Sequence, residues 1–189
     1  MTFTHVVLYR AMNLGHRGSP VRAELEAALL AAGARAVRSF QTNGTVLLDP
    51  GEPGTTTADA AAERVMRAAV PRLAERSGYT HAALVRPLDD VAAAIDGDPF
   101  ARTRDERTYR ETLTFVDGGE PLPVDLPWTD PRDLLDLVAA RPGLVLGVVR
   151  GGPGSGGDPN GAVERFTGGV ATTRTLGTVR RLLAAAARG

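Results

Sequence analysis

Three groups of residues in this chain carry side chains that can recognise or transform a small molecule. Arg10, Asn13 and Gly15 follow the apolar run Val6–Tyr9. Gln41, Thr42 and Asn43 stand between two further apolar runs, and Arg174 lies behind Thr172 and Thr173 near the C-terminus. Amide side chains donate and accept at once, so they orient a polar ligand, while a guanidinium fork holds a carboxylate or phosphate in two bonds. If the chain is an enzyme, His16 or His81 is the natural general base near neutral pH. His5, His16 and His81 are the only histidines and are scattered, so no metal site is expected from them. No serine, histidine and aspartate fall in a nucleophile-elbow context.

Composition excludes more chemistry than the motifs suggest. The chain has no cysteine, which removes thiol nucleophiles, disulfides and thiolate metal sites. It has no lysine either; all 22 basic residues are arginine. Schiff-base chemistry and the phosphate-binding lysine of a P-loop are therefore absent, and no cofactor is expected. The 22 acidic residues balance the arginines to a net charge of zero, against the basic excess usual in a nucleic-acid binder. No apolar run approaches the roughly 20 residues of a membrane span, and the N-terminus lacks the pattern of a signal peptide. These features predict a cytoplasmic protein with no membrane partner.

The elements that must position these residues are legible for the first half. Val6–Tyr9 predicts a strand, and Ser19 with Pro20 predicts the N-cap and first position of a helix that Gly33 ends. Val37–Phe40 and Thr45–Leu48 predict two strands around a hairpin in which Asn43-Gly44 take positive φ. A helix over 59–76 follows, kinked or split at Pro71 and stopped by Gly78. His81–Arg86 predicts a fourth strand. The order β-α-β-β-α-β is that of a ferredoxin-like plait. The fold class is therefore α+β, with an N-terminal ferredoxin-like plait over 1–86 and a second, degenerate α/β-plait subdomain over 87–189. In that second part the patterns predict a short helix over 89–95, strands over 112–116 and 144–149, a helix begun by Asp130 and Pro131 carrying Leu134, Leu135 and Val138, and a last helix opened by Arg174. Gly151–Gly161 predicts a flexible connector. Trp128 is expected to pack the two halves together. No internal repeat stands out.

Several segments resemble the domain-of-unknown-function family 1697. The segment Tyr9-Arg10-Ala11-Met12-Asn13-Leu14-Gly15 matches a family pattern of Leu-Arg-Gly-Ile-Asn-Val-Gly. Phe40-Gln41-Thr42-Asn43-Gly44 stands where the family has an aromatic followed by Gln-Ser-Gly-Asn. Asp98-Pro99-Phe100 matches again, and Thr172 to Val179 resembles Thr-x-Arg-Asn-Trp-x-Thr-Val. The resemblance implies a bacterial protein of two α/β-plait subdomains and implies no activity. Ala11, Thr42-Asn43-Gly44 and Thr175-Leu176 depart from the pattern at three of its edges.

Topology adds an expectation of its own. In such a plait strands one and two run the same way, so the loop after strand one and the hairpin after strand two share one end of the sheet. Arg10, Asn13, Gly15, Gln41, Thr42 and Asn43 should then form one rim, with Tyr79 and His81 returning to it. Free N–H groups at Val21 and Arg22 would favour an anion there. Arg174 joins this set through the family resemblance and through the oddity of a cation at a helix N-terminus. The rim predicts binding of an unknown small polar or anionic molecule, and a cofactor-independent enzyme is one form this could take. The alternative is a protein-interaction or homodimerisation module. RNA binding is disfavoured, because strand three lacks an aromatic and strand one offers only Tyr9.

Overall fold

The computed structural model describes residues 2–52, 54, 56–118, 121–152, 154 and 156–188. Among them are two antiparallel sheets and five helices, so the protein is α+β. The chain divides into two compact units: Met1–Val91 with Leu182–Gly189, and Ala92–Arg181.

Unit 1 holds β1 (His5–Tyr9), α1 (Arg22–Ala31), β2 (Ala36–Phe40), β3 (Thr45–Asp49), α2 (Ala58–Ser77), β4 (Ala83–Pro87) and the start of α3 (Leu88–Ala94). The sheet order is β2-β3-β1-β4, with Val7 opposite both Val46 and Val85. Strand alternation places Val7, Tyr9, Val46, Leu48 and Val85 on one face, where they join Leu25 and Leu29 of α1 and Val65, Ala69 and Leu73 of α2 in a single core. Val6, Leu8 and Leu47 on the opposite face are also fully buried. There Arg38 stacks over Phe3 and donates to the carbonyl of Ala185.

Three local expectations change here. The first helix begins two residues late, at Arg22, because the Ser19 hydroxyl accepts from Asn13 N (3.1 Å) instead of capping the helix. Pro71 neither splits nor stops α2, which runs unbroken from Ala58 to Ser77. The ring is exposed, and the buried stripe Val65–Ala69–Leu73 holds the turn that lacks one hydrogen bond. In the hairpin the positive-φ residues are Gln41 (61°) and Gly44 (68°), not Asn43. The connection spans four residues, closed by the Phe40–Thr45 pair, so it is not a two-residue Asn-Gly turn.

Unit 2 holds the rest of α3, then β5 (Thr108–Val116), β6 (Trp128–Thr129), β7 (Leu135–Arg141), β8 (Leu144–Arg150), α4 (Pro159–Thr167), β9 (Ala171–Thr175) and the first turns of α5 (Leu176–Ala187). Its sheet order is β6-β7-β8-β5-β9. The helix expected after Asp130 is absent. Asp130 Oδ1 instead accepts from Leu134 N (2.6 Å) and Leu135 N (2.8 Å), closing a turn that leads into β7. Burial pushes that carboxyl up, but these backbone donors and Arg132 outweigh it and hold it below the usual range. Pro142-Gly143, with Gly143 at φ 67°, then turns β7 into β8.

The end of the glycine-rich segment is helical rather than a connector. Its last residues, from Pro159, begin α4, capped by Asp158 through Gly161 N (3.1 Å). Pro153 and Ser155 lie outside the described residues. Trp128 packs edge-on against Phe166 of α4, with ring centroids 5.1 Å apart, inside unit 2. Arg174 sits in β9 and does not open the last helix, which begins at Leu176 with Thr178 N bonded to Thr175 Oγ1 (3.3 Å). Leu176, Val179 and Leu182 are the buried residues of α5.

The two sheets share one connectivity. Strands β7-β8-β5-β9 repeat β2-β3-β1-β4, and α4 stands where α2 does. The registers align as well: His5 faces Leu48 and Pro87, and Thr112 faces Gly147 and Thr175. Gly51-Glu52-Pro53-Gly54 after β3 recurs as Gly151-Gly152-Pro153-Gly154 after β8, with positive φ at both outer glycines in each copy. Arg86-x-Leu88-x-x-Val91 recurs as Arg174-x-Leu176-x-x-Val179, each spanning a strand-to-helix junction. Among the described residues unit 2 has no counterpart of α1; Leu122, Leu126 and Trp128 pack on its core instead.

Candidate functional site

The loop after β1 is built by alternation. Met12 and Leu14 turn into the core, which leaves Ala11, Asn13 and Gly15 outward. Gly15 N bonds to Pro20 O (3.0 Å), His16 N to Asn13 O (3.0 Å) and Ser19 N to His16 O (3.0 Å), so the loop is ordered by its own backbone. The hairpin lies directly beside it. Leu14 N donates to Thr42 O (2.8 Å) and Tyr9 N to Gly44 O (2.8 Å). Gly44 is required twice over: its φ is positive, and a Cβ there would meet Met12 Cβ at 2.7 Å and Tyr9 Cβ at 2.9 Å.

Arg22 fastens the helix to the same hairpin, donating to Ser39 O (2.5 Å) and Gln41 O (3.1 Å). The expected anion seat at the α1 N-terminus is already filled, because Val21 N donates to Glu24 Oε2 (3.0 Å). A carboxylate from the chain thus satisfies the donor that a ligand anion would have used.

The far side of the rim is Tyr79, whose hydroxyl donates to Arg10 O (2.6 Å) and lies 3.2 Å from Ala82 O. Its ring meets Tyr9 and His81 edge-on at 5.7 and 5.6 Å. Tyr9 is fully buried, and burial, then the neighbouring Tyr79, pushes its phenol far up. Neither the face nor the hydroxyl of Tyr9 is offered to solvent. Within the hairpin, Thr45 Oγ1 donates to Asn43 Oδ1 (2.8 Å), and Asn43 Nδ2 reaches Gln41 Oε1 (3.5 Å).

Six of the expected site residues therefore lie on adjacent loops of unit 1: Arg10, Asn13 and Gly15 on one, Gln41, Thr42 and Asn43 on the other. Arg174 belongs to unit 2, where it is buried and donates to Thr172 Oγ1 (2.9 Å) and Thr173 O (2.9 Å). Among the described residues no cluster of three histidine, aspartate or glutamate side chains is placed to hold a metal, and no helix is long and apolar enough to cross a membrane.

The sequence reading missed one charged cluster in unit 2. Arg150, buried at the end of β8, bridges Asp105 (3.0 Å) and Asp136 (2.7 Å), with Asp133 at 3.8 Å; Arg107 also reaches Asp133 (2.6 Å). Burial alone would favour a neutral Arg150, but the carboxylates of Asp105 and Asp136 outweigh it and raise its pKa. Its partners come from two segments, Asp105 and the Asp133–Asp136 stretch, both distant in sequence, so no local spacing announces it.

The family model of proteins of unknown function, DUF1697, matches residues 1–126. The chain belongs to the DUF1697 family. The matched region contains both rim loops and reaches through β5 of unit 2. Among solved structures, the DUF1697 chain is similar to the conserved bacterial protein SP0830 from Streptococcus pneumoniae, at 16% identity and a TM-score of 0.59 over 98% of this chain and 99% of that one. That likeness concerns the fold. No curated protein matches the chain.

Proposed function

We propose that this DUF1697 protein binds a small polar molecule at the rim of unit 1, between the 10–18 loop and the 41–44 hairpin. The observation that carries this reading is the 2.8 Å bond from Leu14 N to Thr42 O, which joins the two loops while Asn13, Gly15, Gln41 and Thr42 keep their solvent faces. Such a rim recognises by orientation: the Asn13 and Gln41 amides match donor and acceptor groups, and Arg10 attracts negative charge. The groups gathered there are amides, a hydroxyl and a guanidinium, which favours binding over a named reaction. Because Glu24 occupies the helix N-terminus, an anionic group is to be held by Arg10 rather than by α1.

The β2-β3-β1-β4 order, with α1 and α2 on one face, supports reading unit 1 as a ferredoxin-like plait. The repeated order in unit 2 supports a second plait that has lost its first helix. The boundary drawn from the sequence at residue 86 and the compact-unit boundary after Val91 both fall near the β4–α3 junction.

Native mass spectrometry of the purified full chain tests the binding. A small-molecule adduct on the wild type that is lost in Asn13→Ala and Gln41→Ala, both exposed, with melting temperatures unchanged, is the expected result. An adduct retained by both variants places binding elsewhere.

A further inference from the structure

The internal repeat marks a place where unit 2 departs from unit 1. In unit 1, His5 pairs across the sheet with Leu48 and Pro87, and its imidazole reaches Asp59 in the first turn of α2 at 3.0 Å. The corresponding three residues of unit 2 are Thr112, Gly147 and Thr175. Three bulky or rigid groups have become a threonine, a glycine and a threonine, and a cleft of about 610 Å³ opens beside them. Arg110, Val149, Thr173 and Pro159 complete its described wall on the sheet and at α4. Gly147 lies close behind Thr112: a Cβ there would stand 3.2 Å from Thr112 Oγ1 and 3.1 Å from Asp136 O.

Gly156 and Gly157 supply another wall. A Cβ on Gly157 would lie 2.5 Å from Leu134 O, and one on Gly156 would lie 3.0 Å from Val149 Cγ1. These two glycines therefore let the backbone press flat onto β7 and β8 instead of filling the cleft.

The polar groups of the cleft have a definite sense. Thr112 Oγ1 donates to Gly147 O (3.1 Å) and Thr173 Oγ1 to Asn160 Oδ1 (2.7 Å). Their protons are committed, and Thr173 Oγ1 also accepts from Thr114 Oγ1 (2.8 Å), so Thr112 keeps two oxygen lone pairs and Thr173 one, which suit ligand O–H or N–H donors. Arg110 provides the opposite character. It is exposed, stacks 4.5 Å over the ring of Tyr109 and donates to the Tyr109 hydroxyl (2.7 Å), neutral contacts that leave its charge available. A second, adjoining cleft of about 460 Å³ shares Arg110 and Thr175 and brings in Arg180. The row Arg110–Thr112–Thr173 is thus a cationic mouth over an acceptor floor, on a sheet face that α4 covers with Ala162 and Val163 only toward Val116, Val145 and Ala171.

We propose that this cleft binds a small anionic polyol, with its phosphate or carboxylate on Arg110 and its hydroxyls donating to Thr112 and Thr173. Both groups suit a guanidinium fork, and the volume is in the range of small-molecule sites.

Isothermal titration calorimetry of the full chain with ribose 5-phosphate, gluconate, ribose and inorganic phosphate tests it. Ribose 5-phosphate or gluconate should bind more tightly than ribose or phosphate alone, and which of the two binds identifies the anionic group. Arg110→Ala should weaken that binding about tenfold or more, the scale of one charge-assisted contact. Thr112→Val, which keeps the volume and removes the acceptor, should weaken the polyol and leave inorganic phosphate unaffected. Asn13→Ala at the rim should change nothing, which separates this site from the one in unit 1. Absence of heat with both polyols, phosphate binding as tightly as ribose 5-phosphate, or unchanged affinity in Arg110→Ala overturns the proposal. Arg110 is exposed, so its variant decides the matter even if Thr112→Val fails to fold.

Discussion

Two glycines that look alike in the sequence have different work. Gly18 and Gly44 both take positive φ, 76° and 68°, but a Cβ on Gly18 meets nothing within 4 Å, whereas one on Gly44 collides with Met12 and Tyr9. Gly18→Ala should therefore cost about 1–2 kcal/mol for the left-handed backbone alone. Gly44→Ala should cost a further ~1–3 kcal/mol for overpacking. Urea denaturation of the two variants checks this; equal losses would mean that Met12 yields freely. The same contrast holds for arginines. Arg67 forms an exposed i,i+4 pair with Glu63 (2.7 Å), so Arg67→Ala should cost about 0.3–0.5 kcal/mol. Arg150→Ala strands the buried carboxylate of Asp136 and should cost about 3–5 kcal/mol. A loss below that of the Arg67 variant would show that water replaces the Arg150 guanidinium. Neither the Gly44 collision nor the Arg150–Asp136 pair was legible in the sequence, because neither a Cβ contact nor a buried pair between two strands has a local signature. The rim residues were legible, since Asn13 and Thr42 lie where two strand ends must meet.

At the scale of elements, the first half was readable because its signals agree with one another. Alternation, the Gly33 and Gly78 stops and the turn residues all point to the same order. The second half fails where signals conflict. Leu134, Leu135 and Val138 fit a helix spacing, yet Leu135 and Leu137 are the buried pair of a strand, and the Pro142-Gly143 turn was the better guide. The internal repeat stayed hidden for a related reason: one copy keeps α1 and the other replaces it, so only Gly-x-Pro-Gly and Arg-x-Leu-x-x-Val survive as text. Pro71 gives a test at this scale. It sits exposed inside a continuous α2 and deprives that helix of one N–H bond. Pro71→Ala should raise stability by up to ~3 kcal/mol, the helix-interior difference between the two residues. A lowered melting temperature would mean that the proline ring fixes a bend on which the packing of Val65 and Leu73 depends.

For the whole molecule, one strand order carries two unlike polar surfaces. Each unit repeats one strand order, but unit 1 fills the place beside its α2 with His5 and Leu48 and presents polar groups at the opposite end of the sheet, on the rim. Unit 2 empties the corresponding place with Thr112 and Gly147. The central claim is that the 10–18 loop and the 41–44 hairpin act as one recognition surface. Amide NMR of the full chain, titrated in turn with acetate, inorganic phosphate and acetamide, tests it most directly. At least one probe should move the amide signals of Gly15 and Thr42 together along a single binding curve, and Arg10→Ala should abolish the response to the two anions. Signals of the two loops that move with different affinities, or that do not move with any probe, would contradict it.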